Sequence, residues 1–493
     1  MLPLLSFFTL AQTIAAPISL PSSPGSPNLP SSPPRVPPPE DVIPPQEPRS
    51  LPQEMLPAQE VFQPQDIRPL PGQLDTVPVF NSNSPELVQT EGILLSTFPP
   101  DGKTEPAAHL NFPFQGRFDF FSHHIARARS AGDTRTLFQG VLVYNPTYQP
   151  VTIDILQGAS YLTRPDALFV DLPPYVDDPT GRVYAGPGSR VISDILHGRR
   201  QGNWPAVTVI PPRESWMLMN LPIPVGTVAP GSNGRSTLLR LWSSGPVYMA
   251  SMAMYAPLNP NKTERSPTLE EWQNLLVNGG LAGPRDIPPT PMDKLKEYAR
   301  IVYGRVSGVA LGSEWKANVT DNAKTDYLSI PKRGRAFSYG LSTLYQGTFG
   351  TGQVQSASLV ARYPDTAYQA NGNYGIQYSL TLPLNNTTGQ KQVVTVSIQT
   401  PLKQDKAKGG LLFFTTPDDR VFFRGPVRIR YTDDHGAPQT RYVHLIQQRG
   451  QAGQPLVTLT MPKNDRRLIQ VDLLYPPDST PPQVLTIATL NNS

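Results

Sequence analysis

The sequence predicts a mainly β protein: two antiparallel, sandwich-like domains joined by a short helical connector and preceded by a disordered proline-rich arm. Apolar and polar residues alternate along short runs such as 151–156, and this period of two is typical of half-buried strands. Gly, Pro, Asn and Asp separate the runs at short intervals, which indicates a sandwich-like antiparallel architecture. Helix signals occur only in one stretch near the middle of the chain.

Residues 1–16 resemble a secretory signal peptide. A short apolar run at 4–10 is followed by small residues suited to cleavage, Ala11, Ala15 and Ala16. The segment before the run has no Lys or Arg, so an incidental apolar patch is the alternative interpretation. A signal peptide predicts export to the periplasm, the cell envelope or the extracellular space.

A proline-rich segment follows at 17–60. Proline accounts for 15 of its 44 residues, with Ser, Glu and Gln between them. Such a segment has too little apolar surface to offset the entropy of the chain, and proline favours extended polyproline II backbone. We therefore predict a disordered, semi-rigid arm that acts as a spacer, although a polyproline ligand is the alternative.

The first predicted β domain covers 61–266, and the second covers 301–493. In the second, 427–432 and 441–447 form the best hairpin of the chain, around a turn at 433–438. The remaining predicted strands alternate in the same way, at 136–144, 151–156, 206–210, 216–221, 237–242, 247–255, 456–460, 468–474 and 484–488.

The connector at 267–300 carries the helix signals. Thr268 and Glu271 form a capping box, in which each side chain bonds the backbone N–H of the other residue. Leu269, Trp272 and Leu276 then share one stripe of the helix, and glycine ends it after residue 278. A second short helix is predicted to start at Thr290, with proline in its first turn.

The two halves contain similar segments, which suggests an internal duplication. Residues 141–145 and 151–155 are echoed by 380–385 and 394–398, and Gly245-Pro246-Val247 is echoed by Gly425-Pro426-Val427. However, the Asn and Gly-Pro turns lie 100 residues apart in the first half and 40 in the second. Shared turn sequences therefore remain an alternative to duplication.

Several segments together resemble an uncharacterised family of cyanobacterial proteins that is known only as a domain of unknown function. The segments that carry this resemblance are 61–100, 109–118, 271–276 and 441–445. The resemblance extends from residue 61 to the C-terminus. It implies a bacterial envelope or extracellular setting, and the family has no catalytic or binding residues to transfer.

Composition excludes several classes of function. The chain has no cysteine, so disulfides, thiol nucleophiles and cysteine-bound metals are excluded. The formal charge of +4 is spread thinly and forms no basic stripe, so no nucleic-acid partner is predicted. No run approaches the ~18 apolar residues that a membrane span needs. The six histidines show no metal-binding spacing and are interpreted as surface or hydrogen-bonded loop residues, so no metal or cofactor is predicted.

No catalytic signature is found. Adjacent acids at 177–178, 418–419 and 433–434 are typical of turns. The alternatives are a glycosidase, which needs two carboxyl groups about 5–10 Å apart, and a loop that binds calcium through its oxygen atoms. The sequence contains no Gly-x-Ser-x-Gly elbow, and a Ser/His/Asp triad cannot be assigned from scattered residues. The prediction is therefore a protein that is not an enzyme, with no catalytic residues.

Aromatic and polar residues are interleaved between 362 and 378. Tyrosine rings beside amide groups can stack on a sugar and hydrogen-bond it. Such tyrosines also pack across sheets, which is the alternative. The sequence thus predicts a non-catalytic exported envelope or extracellular protein with a structural or binding role, whose partner is a cell-wall or matrix glycan. The alternative is a polysaccharide-acting enzyme with a site assembled across the fold. The candidate ligand residues are Tyr363, Tyr368, Asn371, Asn373, Tyr374 and Tyr378.

Overall fold

The computed structural model describes residues 59–128, 130, 132–226, 231–406 and 409–491. Strands make up 47% of it and helices 6%, so the predicted mainly β class is confirmed. The predicted signal peptide, and all but the last two residues of the predicted arm, lie outside the described residues. Within the described residues, no helix is long and apolar enough to cross a membrane.

The described residues contain two α-helices, α1 (Pro187–Leu196) and α2 (Leu269–Asn278), and two 3-10 turns, Pro106–Ala108 and Met292–Lys294. The strands, in chain order, are β1 (Glu60–Pro64), β2 (Asp66–Arg68), β3 (Gln73–Leu74), β4 (Pro78–Ser82), β5 (Leu87–Val88), β6 (Gly92–Ser96), β7 (Phe114–Arg127), β8 (Leu137–Tyr144), β9 (Val151–Leu162), β10 (Tyr175–Asp177), β11 (Val207–Ile210), β12 (Ser215–Ile223), β13 (Ser232–Tyr255), β14 (Ser307–Leu311), β15 (Glu314–Asn318), β16 (Leu328–Ser329), β17 (Ala336–Leu341), β18 (Ala357–Arg362), β19 (Gln369–Ala370), β20 (Gln377–Asn385), β21 (Gln392–Gln399), β22 (Gly410–Phe414), β23 (Val421–Thr432), β24 (Pro438–Gln448), β25 (Pro455–Met461), β26 (Arg466–Leu474) and β27 (Gln483–Thr489).

The first sandwich is built around the long strand β13. The first half of β13 lies in the layer β11-β9-β13-β7-β4, and its second half pairs with β8 and β6 in the opposite layer, where β12 also pairs with β8. The pairing register of β13 with β7 shifts between Ser243 and Val247, and the segment Gly245-Pro246 lies within this shift. Phe120 and Leu241 from one layer pack against Val141 from the other, which forms an apolar core.

The second sandwich has two separate sheets. One has five strands in the order β25-β21-β27-β17-β2, and the other has the order β10-β24-β23-β26-β20-β15-β3, with β16 beside β20. Val396 and Ile487 from the first sheet pack against Leu380, Val427 and Val471 from the second. Alternation along strands such as β20 therefore places one apolar face in the core and leaves the opposite face polar.

The same arrangement of strands occurs in both sandwiches. The layers β11-β9-β13-β7-β4 and β25-β21-β27-β17-β2 have the same spatial order and the same order along the chain. In both, every neighbouring pair is antiparallel except the last, which is parallel. The pair β8·β12 in the facing layer corresponds to β20·β26. The two sandwiches are therefore structural repeats.

A buried asparagine fixes the β8–β9 turn of the first repeat. The Nδ2 group of Asn145 donates to the carbonyl groups of Gln149, Ile210 and Pro211 at 2.7, 3.0 and 3.0 Å. Its Oδ1 atom accepts from both the backbone N–H and the hydroxyl of Thr147, at 2.9 and 2.8 Å. One side chain thus ties the β8–β9 turn, which crosses from one layer to the other, to the end of β11.

Asn386 makes the same set of contacts in the second repeat, at the β20–β21 turn. It donates to the carbonyl groups of Gln390, Met461 and Pro462 at 2.7, 2.9 and 2.9 Å. It accepts from the N–H and hydroxyl of Thr388 at 3.0 and 2.7 Å. The end of β25 takes the place of the end of β11.

These contacts correct the echoes seen in the sequence. The sequence pairs Asn145 with Asn385, whereas the hydrogen bonds match Asn145 to the next residue, Asn386. The Gly-Pro-Val echo does not mark equivalent positions, because residues 245–247 lie in β13 and residues 425–427 lie in β23, which has different neighbours. The turn therefore supports the repeat, and the Gly-Pro segments reflect shared local sequence.

All of the predicted strands are present, although β9 and β23 are each six residues longer than the predicted runs 151–156 and 427–432. The runs 237–242 and 247–255 belong to one strand, β13. Helix α2 is confirmed with its capping box, since Thr268 accepts from the N–H of Glu271 and Glu271 accepts from the N–H of Thr268. The predicted second helix is wrong: only a 3-10 turn forms at Met292–Lys294, where almost every side chain is exposed and no apolar face is buried.

Helix α1 is missing from the sequence predictions. Its start, Gly186-Pro187-Gly188, has the composition of a turn, although proline at the first helical position is common. Val191, Ile192 and Ile195 bury one face of α1, and α1 contacts β9 and β13 of the first repeat and β23 and β26 of the second. The helix thus links the two sandwiches.

Strand pairing does not follow the predicted division into 61–266, 267–300 and 301–493. Strands β1, β2 and β3 pair with β22, β17 and β15, and β10 pairs with β24. Conversely, β14 belongs to the predicted second domain but pairs with β4 and extends the sheet of the first repeat. Each repeat therefore takes strands from both sides of the helical stretch.

Candidate functional site

The outer face of the eight-stranded sheet is polar over several neighbouring strands. On β20, Tyr378, Leu380 and Leu382 point into the core. The alternate residues Gln377, Ser379 and Thr381 lie on the opposite side and line an open groove. Alternation along the strand thus produces a core face and a polar face from one short sequence.

The groove has a volume of about 420 Å³ and crosses four adjacent strands, β15, β20, β26 and β23. The strand register places its polar side chains in rows across the sheet. One row is Lys316, Ser379, Asp472 and Arg428, and the next is Asn318, Thr381, Gln470 and Arg430. Neighbours in a row are close enough to bind one ligand together, since adjacent strands are about 4.8 Å apart.

Glu314 contacts three neighbouring side chains at one end of the groove. Its Oε1 atom accepts from the hydroxyl of Ser379 at 2.6 Å and from the amide of Gln377 at 3.3 Å, and its Oε2 atom lies 3.2 Å from Lys316 Nζ. Arg240 of the first repeat donates to Gln377 Oε1 at 2.7 Å. Burial lowers the pKa of Arg240, and the nearby carboxylates Asp119 and Glu314 oppose that shift. The first repeat thus bounds this end of the groove.

Two arginines share one carboxylate near the other side. Arg428 Nε and Arg430 Nη2 each lie 3.1 Å from Asp472 Oδ2, and Asp472 is almost fully buried. Arg428 also donates to the carbonyl of Leu196 at the end of α1. The shared carboxylate holds both guanidinium groups along the wall of the groove.

The equivalent face of the first repeat is apolar and covered. Helix α2 lies over it, with Trp272 completely buried among Leu142 and Met252. Trp272 sits directly on Gly140, where a Cβ atom would lie 2.5 Å from its ring. Matching Asn145 to Asn386 aligns Gly140 with Thr381 of the groove. The same surface is thus occupied in one repeat and open in the other.

An amide side chain occupies the same place in both repeats. In the first repeat, Asn220 pairs with Gly140, donates to the carbonyl of Pro267 at 2.8 Å and accepts from the Trp272 indole at 3.3 Å. In the second, Gln470 pairs with Thr381 and lines the groove. Asn220 therefore binds the segment that covers the first repeat, whereas Gln470, at the equivalent position, faces the open groove of the second repeat.

Three of the candidate ligand residues are fully buried. Tyr363 donates to the carbonyl of Ala108 at 2.8 Å, and Tyr378 and Asn373 hydrogen-bond each other at 2.9 Å. Burial raises the pKa of both tyrosines. These three side chains do not form a surface on which a sugar can stack, because their rings and amide pack inside the fold.

The other three candidates are partly exposed but do not line the groove. The guanidinium group of Arg362 lies 3.8 Å from the centre of the Tyr368 ring. Tyr374 donates to the carbonyl of Ser479 at 2.9 Å, and Asn371 donates to the carbonyl of Gln369 at 3.0 Å. Each side chain is thus engaged within the protein, and the six candidates do not converge on one ligand.

Replacing Tyr378 by Phe is expected to lower the free energy of unfolding by about 1–3 kcal/mol. The hydroxyl of Tyr378 donates to Gln355 and accepts from the backbone N–H of Ser342, both at 3.0 Å. Urea unfolding measures the change, and Tyr368→Phe is the matched control with an expected effect within about 0.5 kcal/mol. Equal effects of the two substitutions would contradict the buried role of Tyr378.

A second group of titratable side chains is buried beside β7. Glu86 contacts Arg305 and lies 3.8 Å from His123, and Asp286 Oδ1 lies 3.7 Å from Arg305. Burial raises the pKa of Glu86 and lowers the pKa of His123 to about 3. The ion pairs of Arg305 with Glu86 and Asp286 join the segment before β5 to the stretch between α2 and β14, and His123 of β7 lies beside them.

Four of the six histidines are buried. His123, His124 and His444 lie in strands, which corrects their interpretation as surface or hydrogen-bonded loop residues, whereas His109 lies in a loop and hydrogen-bonds Ser96. Burial lowers the pKa of His109, His124 and His444 to about 4, in addition to the shift at His123. His123 and His124 bond different partners, Ser236 and Ser82 respectively. Across the part of the chain that the structure describes, no three His, Asp or Glu side chains are placed to hold a metal ion.

The groove residues were not predicted as a site. Their signal is present in the sequence, because Arg428 and Arg430 alternate with apolar residues in the predicted hairpin. Each strand alone shows only an ordinary polar face. The groove arises from the order of the strands, including the parallel pairing of β15 with β20, and that order is not visible in the sequence.

Comparison with family models gives one match, described as a protein of unknown function, DUF3370, which covers residues 65–489. The chain belongs to this family. The match includes every groove residue and both repeats, so the groove lies within the family's common region. No curated protein matches the sequence.

Solved structures with partial similarity include a coconut (Cocos nucifera) 11S allergen, at 10% identity over 77% of this chain and 87% of that chain. A variant of Bacillus subtilis oxalate decarboxylase has 10% identity over 77% and 75%, and the 11S globulin of Wrightia tinctoria has 12% over 86% and 84%. The TM-score is 0.09 in each case, so these similarities carry no argument about fold or function.

Proposed function

We propose that this chain is a non-catalytic, exported binding protein of the cell envelope or extracellular space, and that its groove holds a cell-wall or matrix polysaccharide. The observation that carries the proposal is the open groove itself. Its floor is a set of polar side chains on the outer face of the eight-stranded sheet, at the place where the other repeat is covered by α2.

The chemistry of the groove suits a sugar polymer. Ser379 and Thr381 provide hydroxyl groups, and Asn318 and Gln470 provide amides, so each can donate and accept hydrogen bonds. A sugar presents many hydroxyl groups that also donate and accept. An open groove, unlike a closed cavity, leaves room for a polymer to continue beyond the bound units.

Export is supported by the sequence at 1–16, which resembles a secretory signal peptide. The proline-rich segment at 17–60 would then lie at the start of the mature chain, as a spacer between the sandwiches and the surrounding polymer. Fractionation of cells, with sequencing of the N-terminus of the mature protein, tests this part. Recovery of the intact chain from the cytosol would contradict it.

Replacing both Thr381 and Gln470 by Ala is expected to weaken glycan binding about 10- to 30-fold. Two hydrogen bonds are lost, each worth about 1 kcal/mol. The measurement is retention of purified protein on peptidoglycan, cellulose, dextran, alginate and polygalacturonate, followed by affinity determination for those that bind. Thr458→Ala is the control, since Thr458 is an exposed strand residue on the other sheet of the same repeat.

Binding to none of these glycans, or equal binding by the groove variant and the control variant, would contradict the proposal. Thermal unfolding of each variant separates loss of binding from loss of folding. A normal melting curve for the double variant, together with weakened binding, supports a direct role of the groove.

The alternative is an enzyme that acts on wall polysaccharide. Two carboxylates, Glu314 and Asp472, line the groove, and glycoside hydrolysis uses a pair of carboxyl groups. Incubation of the protein with each bound glycan and measurement of new reducing ends distinguishes the two functions. An increase that disappears in Glu314→Gln would favour the enzyme and contradict the non-catalytic proposal.

A further inference from the structure

We infer that the groove selects acidic polysaccharides, which carry carboxylate groups, over neutral ones. The inference rests on the proposed function and specifies its class of ligand. It is carried by the balance of charge among the lining residues and by the way in which the two arginines are paired.

The lining residues contain three cations and two carboxylates, so the groove has a net positive charge. The cations are Lys316, Arg428 and Arg430, and the carboxylates are Glu314 and Asp472. Side chains on a sheet face often balance their charges in pairs. Here one positive charge remains for a ligand to neutralise.

The excess charge is located at the arginine pair. Arg428 and Arg430 approach the same oxygen of Asp472, and one carboxylate neutralises only one guanidinium group. The Asp472 side chain is 4% exposed and the Arg430 side chain is 41% exposed. The carboxylate therefore lies beneath the surface, while the guanidinium group of Arg430 reaches solvent with further N–H donors.

Arginine is well suited to this role. Its planar guanidinium group presents five N–H donors and binds a carboxylate through two parallel hydrogen bonds. Lys316, with a side chain that is 77% exposed, supplies a second cation across the groove. A polymer with a carboxylate on each sugar unit can reach both cations, whereas its hydroxyl groups meet the amide and hydroxyl side chains between them.

The test uses two hexasaccharides with the same backbone, oligogalacturonate and its methyl ester, in which the charges are removed. Isothermal titration calorimetry with the full mature chain is expected to give at least tenfold tighter binding to the acid than to the ester at low salt. The affinity for the acid should fall steadily as sodium chloride is raised, because exposed charge pairs are screened.

Two substitutions are expected to act in opposite directions. Arg430→Gln should weaken binding of the acid about five- to tenfold and leave the ester unchanged, and Arg428 still pairs with Asp472 in this variant. Glu314→Gln should tighten binding of the acid up to about threefold, since it removes a negative charge from the groove. Arg333→Gln, at an exposed arginine that contacts Gln392 of the other sheet, is the control.

Equal affinity for the acid and the ester, or no effect of Arg430→Gln on the acid, overturns the inference. If neutral glycans alone bind and binding still depends on Thr381 and Gln470, the inference fails and the proposed function stands. If no glycan binds at all, the proposed function is wrong, and the inference that rests on it is wrong as well.

Discussion

Replacing Trp272 by Ala is expected to lower the free energy of unfolding by about 3–5 kcal/mol. Trp272 has no exposed surface, and its ring fills the space between α2 and the outer face of the first repeat. Removing a buried aromatic side chain loses its burial and leaves a cavity that the surroundings fill only in part. The indole N–H bond to Asn220 is also lost.

Urea unfolding followed by circular dichroism measures this change. Val277→Ala is the matched control, because Val277 lies on the same helix with an exposed side chain and its loss should cost about 0.5 kcal/mol or less. Gly140→Ala tests the same contact from the sheet, where the added methyl group would meet the ring. Similar stabilities of the Trp272 and Val277 variants would show that α2 does not seal this face.

The covering of one repeat by α2 could be predicted only in part. The capping box at Thr268 and Glu271 specifies where the helix begins, because it depends on residues three positions apart. Which sheet the helix covers depends on contacts between Trp272 and Gly140, which are 132 positions apart, and no local pattern reports them. The strands that were predicted were placed for the same reason that the helix start was, since alternation is local. Others, such as β7, were not predicted.

The groove shows where prediction from the sequence ends. The interpretation of residues 362–378 selected tyrosines, and Tyr378 does lie on a strand of the groove. However, it points into the core, and its neighbours Gln377 and Ser379 line the groove. Alternation gives two faces to each strand, and only the packing of the opposite sheet decides which face is buried.

The two asparagines of the repeated turn give the second large expected effect. Asn386→Ala and Asn145→Ala should each lower the free energy of unfolding by about 3 kcal/mol. Both side chains have no exposed surface, and each bonds three backbone carbonyl groups. Alanine leaves buried carbonyl groups without donors, and each such loss costs about 1–3 kcal/mol.

Asn385→Ala is a matched control, since Asn385 is adjacent, only partly buried and on the opposite face of β20 from the core. It should change stability by about 0.5 kcal/mol or less. Asn386→Asp keeps the oxygen that accepts from Thr388 but removes the donors to Gln390, Met461 and Pro462, so its cost should be at least as large as that of alanine. Equal costs at Asn145 and Asn386 would show that the repeats use the turn in the same way. A small cost at Asn386, no greater than that at Asn385, would remove the physical basis for treating the two turns as equivalent.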